Sequence, residues 1–227
     1  MPEEILKEIR ILSSLKDYAG IRDLLRANVF ENAIEYWYYL AHANRKIGNR
    51  DEAEKCCEKV LQISPTNRQA KFELGLIYQN DGDYKRAIDF LEQAASPEDG
   101  EVDFEEQVDI LNSLALTYKK KKDYTKALEI YKMTADFLFN VAKKKALKSW
   151  REENPGDEPT EELIYPVTEK LLRSNKQFCT LLNNQGVLYA EIGDRDSARE
   201  AFRDAIKFTP DFVEYSEPHI GLRELES

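Results

Sequence analysis

The stretch Lys71-Phe72-Glu73-Leu74-Gly75-Leu76-Ile77-Tyr78-Gln79-Asn80-Asp81-Gly82-Asp83-Tyr84-Lys85-Arg86-Ala87-Ile88-Asp89-Phe90-Leu91 decides the fold. Gly82-Asp83 divides it into two helical halves: glycine suits a left-handed helix end, and aspartate starts the next helix. Gly75 in the first half and Ala87 in the second are small, so two antiparallel helices can approach closely where they cross. Leu74, Tyr78 and Leu91 fill the space beside that contact. The same spacing recurs along the chain. Thirty-four residues before Gly75 stands Ala41, within the set Trp37, Leu40, Ala41, Asn44, Ala53, Cys57 and Pro65. Further copies read Leu111, Leu114, Ala115, Tyr118, Ala127, Tyr131, and then Leu182, Gln185, Gly186, Tyr189, Ala198, Phe202, Pro210. The junctions repeat as Gly48-Asn49-Arg50 and Gly193-Asp194, whereas the third copy has Lys122-Asp123, which predicts a less comfortable turn there. A hairpin of this kind cannot bury its apolar face alone, so stacked copies must share a core.

On these residues the chain resembles the tetratricopeptide repeat family, whose pattern W-x2-L-G-x2-Y, A-x3-F and P they follow from about 34 to 212. The resemblance implies an all-α, right-handed superhelical solenoid of antiparallel helix hairpins. The expected organisation is one solenoid domain over 1–227. It places a degenerate N-terminal hairpin at 1–33, repeats at 34–67, 68–101, 108–141 and 179–212, an elongated hairpin at 139–178 and a C-terminal capping helix at 213–227. The first hairpin carries Ile5, Ile9 and Leu12, then Ile21, Leu24 and Leu25, joined near Asp17-Tyr18; the cap carries Ile220, Leu222 and Leu225.

The period breaks twice. Gly75 to Ala115 is 40 residues, the surplus falling in the acidic turn Ser96-Pro97-Glu98-Asp99-Gly100-Glu101. Ala115 to Gly186 is 71 residues. Residues 125–151 lack Gly and Pro, Asn154-Pro155-Gly156-Asp157-Glu158-Pro159 is a loop, and Thr160-Glu161-Glu162 is a helix start. These features predict that helix B of repeat three and helix A of repeat four are both lengthened, forming an elongated antiparallel spur that projects roughly 20 Å, with Pro166 placed to kink its second helix.

Forty-three acids against 33 basic residues give a net charge of −10, which argues against whole-protein attraction to nucleic acid or anionic lipid. The spur reverses that sign: Lys119 to Arg151 holds ten Lys and one Arg against Asp123, Glu129 and Asp136. Lys143, Lys144, Lys145, Lys148 and Arg151 are its candidate basic surface for an acidic protein or RNA, and the bland alternative is compensation by neighbouring carboxylates. The absence of an 18-residue apolar run or a signal-like start predicts a cytoplasmic chain without a membrane span.

Catalytic signatures are missing: no P-loop, GxGxxG, HExxH, GxSxG or kinase motif occurs. Cys56, Cys57 and Cys179 contain no C-x-x-C and have only His42 and His219 as histidine companions, so neither a metal nor another cofactor is expected. Cys57 stands where the pattern has Phe and reads as a small core hydrophobe. The expectation is therefore a non-enzymatic adaptor holding a protein or peptide partner.

The resemblance implies where that partner lies, since in this family the first helices of the hairpins line a concave groove. The positions that face a bound peptide are here Tyr38, His42, Arg45, Phe72, Leu76, Gln79, Asn112, Leu116, Lys119, Asn183, Asn184 and Val187. Asparagine amides suit bonding to an extended backbone, and Tyr38 and Phe72 suit anchoring pockets. The competing readings are packing between hairpins for Phe72, Leu76 and Leu116, and a solvated surface for the asparagines. The family's clamp for chaperone C-terminal tails is rejected, because its positions hold Tyr38, His42, Glu73, Asp109 and Ser113, and Glu73 with Asp109 would repel a carboxylate. A noncatalytic subunit of a stable complex is a further alternative, and self-association through the repeat ends or the spur stays open.

Overall fold

The computed structural model describes residues 1–96, 104–209 and 216–226. Helices follow one another as α1 (Glu3–Ser14), α2 (Tyr18–Ala27), α3 (Ile34–Lys46), α4 (Arg50–Ile63), α5 (Arg68–Asn80), α6 (Tyr84–Ala95) and α7 (Phe104–Lys120), then α8 (Tyr124–Glu153), α9 (Glu161–Arg173), α10 (Lys176–Ile192), α11 (Arg195–Lys207) and α12 (Glu217–Glu226). No strand occurs among the described residues. The chain divides into two compact units, Met1–Thr117 and Tyr118–Ser227, the boundary falling inside α7. The acidic turn at 97–101 and Pro210 lie outside the described residues.

In the first unit, α1/α2, α3/α4 and α5/α6 form successive hairpins around one cluster in which Ile9, Ile21, Leu25, Leu40, Ala53, Cys57, Leu74 and Ala87 are buried. Between α1 and α2 the Asp17 side chain accepts from the Gly20 amide at 2.8 Å. The role of small residues is explicit at α5/α6: a Cβ on Gly75 would lie 2.6 Å from Leu91. Arg68 ties this hairpin to α7, donating to the Ala94 carbonyl at 2.6 Å and to the Gln107 side chain.

The second unit is built on α8, a continuous 30-residue helix about 45 Å long at 1.5 Å per residue. Tyr131, Leu138, Ala142 and Ala146 form its buried stripe, and α9 returns along it with Ile164 and Leu172 buried. One expectation requires correction: helix A of repeat four is not lengthened. The return leg breaks at Ser174-Asn175, where the Ser174 hydroxyl donates to the Leu171 carbonyl at 2.6 Å and the Asn175 side chain accepts from the Gln177 amide at 2.9 Å. Both side chains compete with the helix for backbone groups, so α9 ends and α10 starts afresh. The fourth repeat's first helix accordingly begins at Lys176, three residues ahead of the expected 179, while α9 runs through Pro166. α10 and α11 then form the fourth hairpin, and α12 packs on both.

The glycines of the repeat junctions take the left-handed backbone they were expected to supply: Gly48, Gly82 and Gly193 have φ of 83°, 80° and 91°. Lys122 occupies the same conformation, φ 67°, with a Cβ. An L-residue pays roughly 1–2 kcal/mol there, part of which glycine returns through the greater freedom of its unfolded chain. Lys122→Gly should therefore stabilise the second unit by about 0.5–1 kcal/mol. A urea midpoint that stays put or falls would contradict this account of the turn.

Candidate functional site

The first helices of the first unit's hairpins carry Tyr38, His42 and Arg45 on α3, Phe72, Leu76 and Gln79 on α5, and Asn112 and Leu116 on α7. Tyr38, His42, Phe72, Leu76, Asn112 and Leu116 are all half-buried, intermediate between a sealed core and a solvated face. Aromatic rings gather at the α3 end: the His42 ring meets Tyr18 edge-on at 5.7 Å and lies 6.4 Å from Tyr38. Burial raises the Tyr38 phenol well above its ordinary pKa, and Glu73 and Glu106 push the same way, so it remains a neutral donor.

His42 and Arg45 belong to an ion cluster centred on Glu73. Glu73 of α5 is only 3 % exposed; it meets His42 Nδ1 at 2.7 Å and accepts from Arg45 Nε at 2.5 Å. Burial alone would raise its pKa, but hydrogen bonds from His42 and Arg45 outweigh that and hold the carboxyl below its ordinary value. This corrects one reason for excluding a carboxylate-tipped ligand. Glu73 does not confront a ligand with a free negative charge, because its charge is already taken up within the protein. Glu73 was legible only as a misfit, although its spacings of 31 and 28 residues from His42 and Arg45 fall just short of one period. That is the offset at which side chains of successive first helices meet.

A second correction concerns Gln79. It is 7 % exposed, and its amide nitrogen donates to the Ser113 carbonyl at 3.0 Å and to the Thr117 hydroxyl at 2.6 Å. Its donor joins α5 to α7 and is not offered to a ligand.

In the second unit, Lys119 is paired with Glu191 of α10 at 2.8 Å. Asn184 and Val187 are half-buried and Asn183 is buried, so a solvated surface describes neither asparagine. Asn183 Oδ1 finds no hydrogen-bond partner among the described residues. It lines a cavity of about 730 Å³ between α10, α11 and α12, together with Val187. The sequence did not single out this cavity or its α12 wall.

The basic stretch is largely answered from within. Lys143 pairs with Glu161 at 2.6 Å, Arg151 with Glu158 at 3.1 Å and Lys148 with Glu152 at 3.9 Å. These pairs are exposed and individually weak, but they spread acidic charge through the patch. Lys144 and Lys145 have no ion pair among the described residues.

The cysteines are packing residues. Cys56 and Cys57 are buried, and burial raises both thiols, Cys56 to about 12 and Cys57 further with the nearby Glu73 charge adding to it. A nucleophile needs the opposite shift. No described helix is long and apolar enough to cross a membrane.

Comparison with known proteins agrees with this architecture. The Fis1 C-terminal tetratricopeptide repeat matches residues 34–80, and two further tetratricopeptide repeat descriptions match 72–103 and then 108–132 with 180–212. The chain belongs to the tetratricopeptide repeat family. Among curated relatives, it is 32 % identical over 83 residues to the photosystem I assembly protein Ycf3 of Prochlorococcus marinus, covering 34 % of this chain and 46 % of that protein. It is 32 % identical over 79 residues to anaphase-promoting complex subunit 3 of Schizosaccharomyces pombe, covering 35 % and 12 %. The matches thus span less than half the length of these relatives. Among solved structures, MamA from Desulfovibrio magneticus RS-1 superposes with a TM-score of 0.58 at 17 % identity, covering 91 % of this chain and 93 % of that one. A chain of the APC/C hetero-tetramer Cut9–Hcn1 gives 0.65 at 11 % identity, covering 96 % and 35 %. At these identities the structures speak for the fold alone.

Proposed function

We propose that the protein is a non-enzymatic adaptor that holds a peptide segment of a partner protein on the α3–α5–α7 face of its first unit. One observation carries the reading: Tyr38, His42, Phe72, Leu76, Asn112 and Leu116 are half-buried on the first helices α3, α5 and α7, where Glu73 fixes His42 and Arg45. Such a surface is already ordered, so binding costs mainly the ligand's chain entropy, and micromolar affinity is the natural scale. A His–carboxylate pair can orient a general base, but here Arg45 shares the carboxylate and the nearest cysteine has its thiol raised. That arrangement favours a structural cluster over a catalytic one. The relatives' names, an assembly protein and a complex subunit, support a role in putting proteins together.

A second reading places an acidic protein or RNA on Lys144 and Lys145, the two lysines of the spur patch without ion pairs among the described residues. Affinity capture from native lysate separates the two. Tyr38→Ala/Phe72→Ala/Asn112→Ala should reduce the enrichment of the main captured protein at least ten-fold with helicity retained. Lys143→Glu/Lys144→Glu/Lys148→Glu should leave it within about two-fold, as expected for exposed charges. Capture that survives the first variant and disappears with the second, or with nuclease, would make the spur the working surface.

A further inference from the structure

Where α8 and α9 run antiparallel, Phe139 meets Tyr165 at 6.5 Å between ring centroids and Lys143 reaches Glu161 at 2.6 Å, which fixes their register and marks one flank of the spur. Lys207 of α11 stands over the Tyr165 ring on that flank. Two residues back along α8 and two forward along α9 turn each pair by about 200°, to the opposite flank. Phe137 there stands level with Val167, and Val141 with Leu163. The seam between the helices is sealed by Leu138, Ala142, Ala146, Ile164 and Leu172. Yet Phe137, Leu163 and Val167 remain 40 %, 48 % and 39 % exposed, three large apolar side chains outside the hairpin's own core. An exposed apolar patch with a polar rim marks an interaction surface.

The rim is basic. Lys144, Lys145 and Lys148 follow Val141 along α8 within about two turns, and Lys170 lies one turn beyond Val167 on α9; all four are exposed. Glu152 approaches Lys148 at 3.9 Å, whereas Lys144, Lys145 and Lys170 have no ion pair among the described residues. A second spur would bring like charges together, and a neutral apolar segment would leave the lysines unanswered. Two legs side by side present a shallow groove along their axes, a seat for a third helix whose apolar stripe meets the patch. Carboxylates beside that stripe answer the rim.

We propose that this flank of the spur docks an acidic amphipathic helix of a partner protein, its apolar stripe over Phe137, Val141, Leu163 and Val167 and its carboxylates toward Lys144, Lys145 and Lys170. The 13 residues of α9 span about 20 Å, so a segment of about 14 residues, four turns, fills the face. The site rests on the spur reading only for the partner's charge, and the α3–α5–α7 face takes no part.

The test uses the full chain and a fluorescein-labelled peptide of about 14 residues, with leucines at i, i+3, i+4 and i+7 spacing and glutamates elsewhere. One control carries lysine for glutamate and another serine for leucine. The acidic peptide should bind saturably by fluorescence anisotropy and gain helicity, and each control should bind at least ten-fold more weakly. Leu163→Ser/Val167→Ser should weaken it at least ten-fold with little change in melting midpoint, since both residues lie outside the core. Lys144→Glu/Lys145→Glu/Lys170→Glu should reverse the preference, so that the lysine peptide binds more tightly than the glutamate one, an outcome a collapsed spur could not give. Undiminished affinity in Leu163→Ser/Val167→Ser, or no binding at millimolar peptide, would overturn the assignment. Equal binding of the serine-striped peptide would overturn it while leaving the spur reading in place. Tighter binding of oligouridine or of phosphatidylserine vesicles than of the acidic peptide would overturn it in favour of nucleic acid or membrane. A dimer of the chain alone that Leu163→Ser/Val167→Ser dissolves would give the flank to a second copy. Tyr38→Ala/Phe72→Ala/Asn112→Ala should bind the peptide as wild type does, so the result stands whether or not the adaptor face captures a partner.

Discussion

Glu73→Gln is expected to lower the stability of the first unit by about 3 kcal/mol, the low end for breaking a buried ion pair. The substitution leaves Arg45, 11 % exposed, without its counter-charge and alters the acceptor of His42, 29 % exposed, and the residual water at those two groups keeps the penalty from its upper limit. The two tryptophans make this measurable, because Trp37 and Trp150 lie in different units. In a Trp150→Phe background the Trp37 emission follows the first unit alone, and its urea midpoint should fall steeply with Glu73→Gln. Replacing the whole cluster, Glu73→Leu with Arg45→Met and His42→Phe, should recover most of the loss, since no charge is then stranded. If the single change costs less than 1 kcal/mol, the cluster is not the fixed element described above.

The same group sets an acid limit. A carboxyl whose folded pKa lies below its unfolded value contributes stability that is complete above the unfolded value and is lost as pH falls through the folded one. For Glu73 the reference value is 4.5 and the folded value is lower, so its contribution should decline only below that pH. The Trp37 midpoint of the wild type should therefore drop more between pH 5 and pH 3 than that of Glu73→Gln.

Phe202→Ala should cost the second unit about 3–5 kcal/mol and release α12. The ring is 2 % exposed and wedged between two glycines on different helices. A Cβ on Gly186 of α10 would come within 2.6 Å of it, and one on Gly221 of α12 within 2.5 Å. Removing the ring therefore empties the contact on both sides, and neither glycine has a side chain to collapse into the space. Hydrogen exchange should show the α12 amides approaching unprotected rates while those in the spur half of α8 change little. Unchanged protection in α12 would mean that its docking does not depend on this ring.

How much of this was readable from the chain differs element by element. The pairing of Gly75 with Leu91 and of Gly186 with Phe202 follows from a small residue and a large one at fixed positions in adjoining helices, so spacing alone reveals it. The junction glycines are likewise local: their left-handed backbone announces itself in the residue type, and Lys122 stands out as the exception. Ser174-Asn175 was not legible, because its neighbours are good helix formers and only the side-chain bonds show that α9 stops there. The state of the candidate site was hidden for a different reason. Whether Gln79, Glu73 or Asn183 is offered outward depends on which side chain of another helix reaches it. Periodicity names the face a residue occupies and is silent about what already holds it.

The restart of α10 at Asn175 has a consequence for modularity. Because the fourth repeat begins with its own cap, the distal half of α8 and the start of α9 form an appendage closed at its tip by the loop from Asn154 to Thr160, whereas Glu169 further along α9 is held by Lys207 of α11 at 3.5 Å. Whole helical turns could be added to or removed from both legs near the tip, beyond the contact of Tyr165 and Glu169 with Lys207, without shifting the register of the repeats behind it. Gly156, at φ 93° with open space around it, marks the place where a foreign sequence could be spliced in while the hairpin below stays zipped. The spur is in this sense an interchangeable attachment, able to change length or cargo without redesign of the scaffold that bears it.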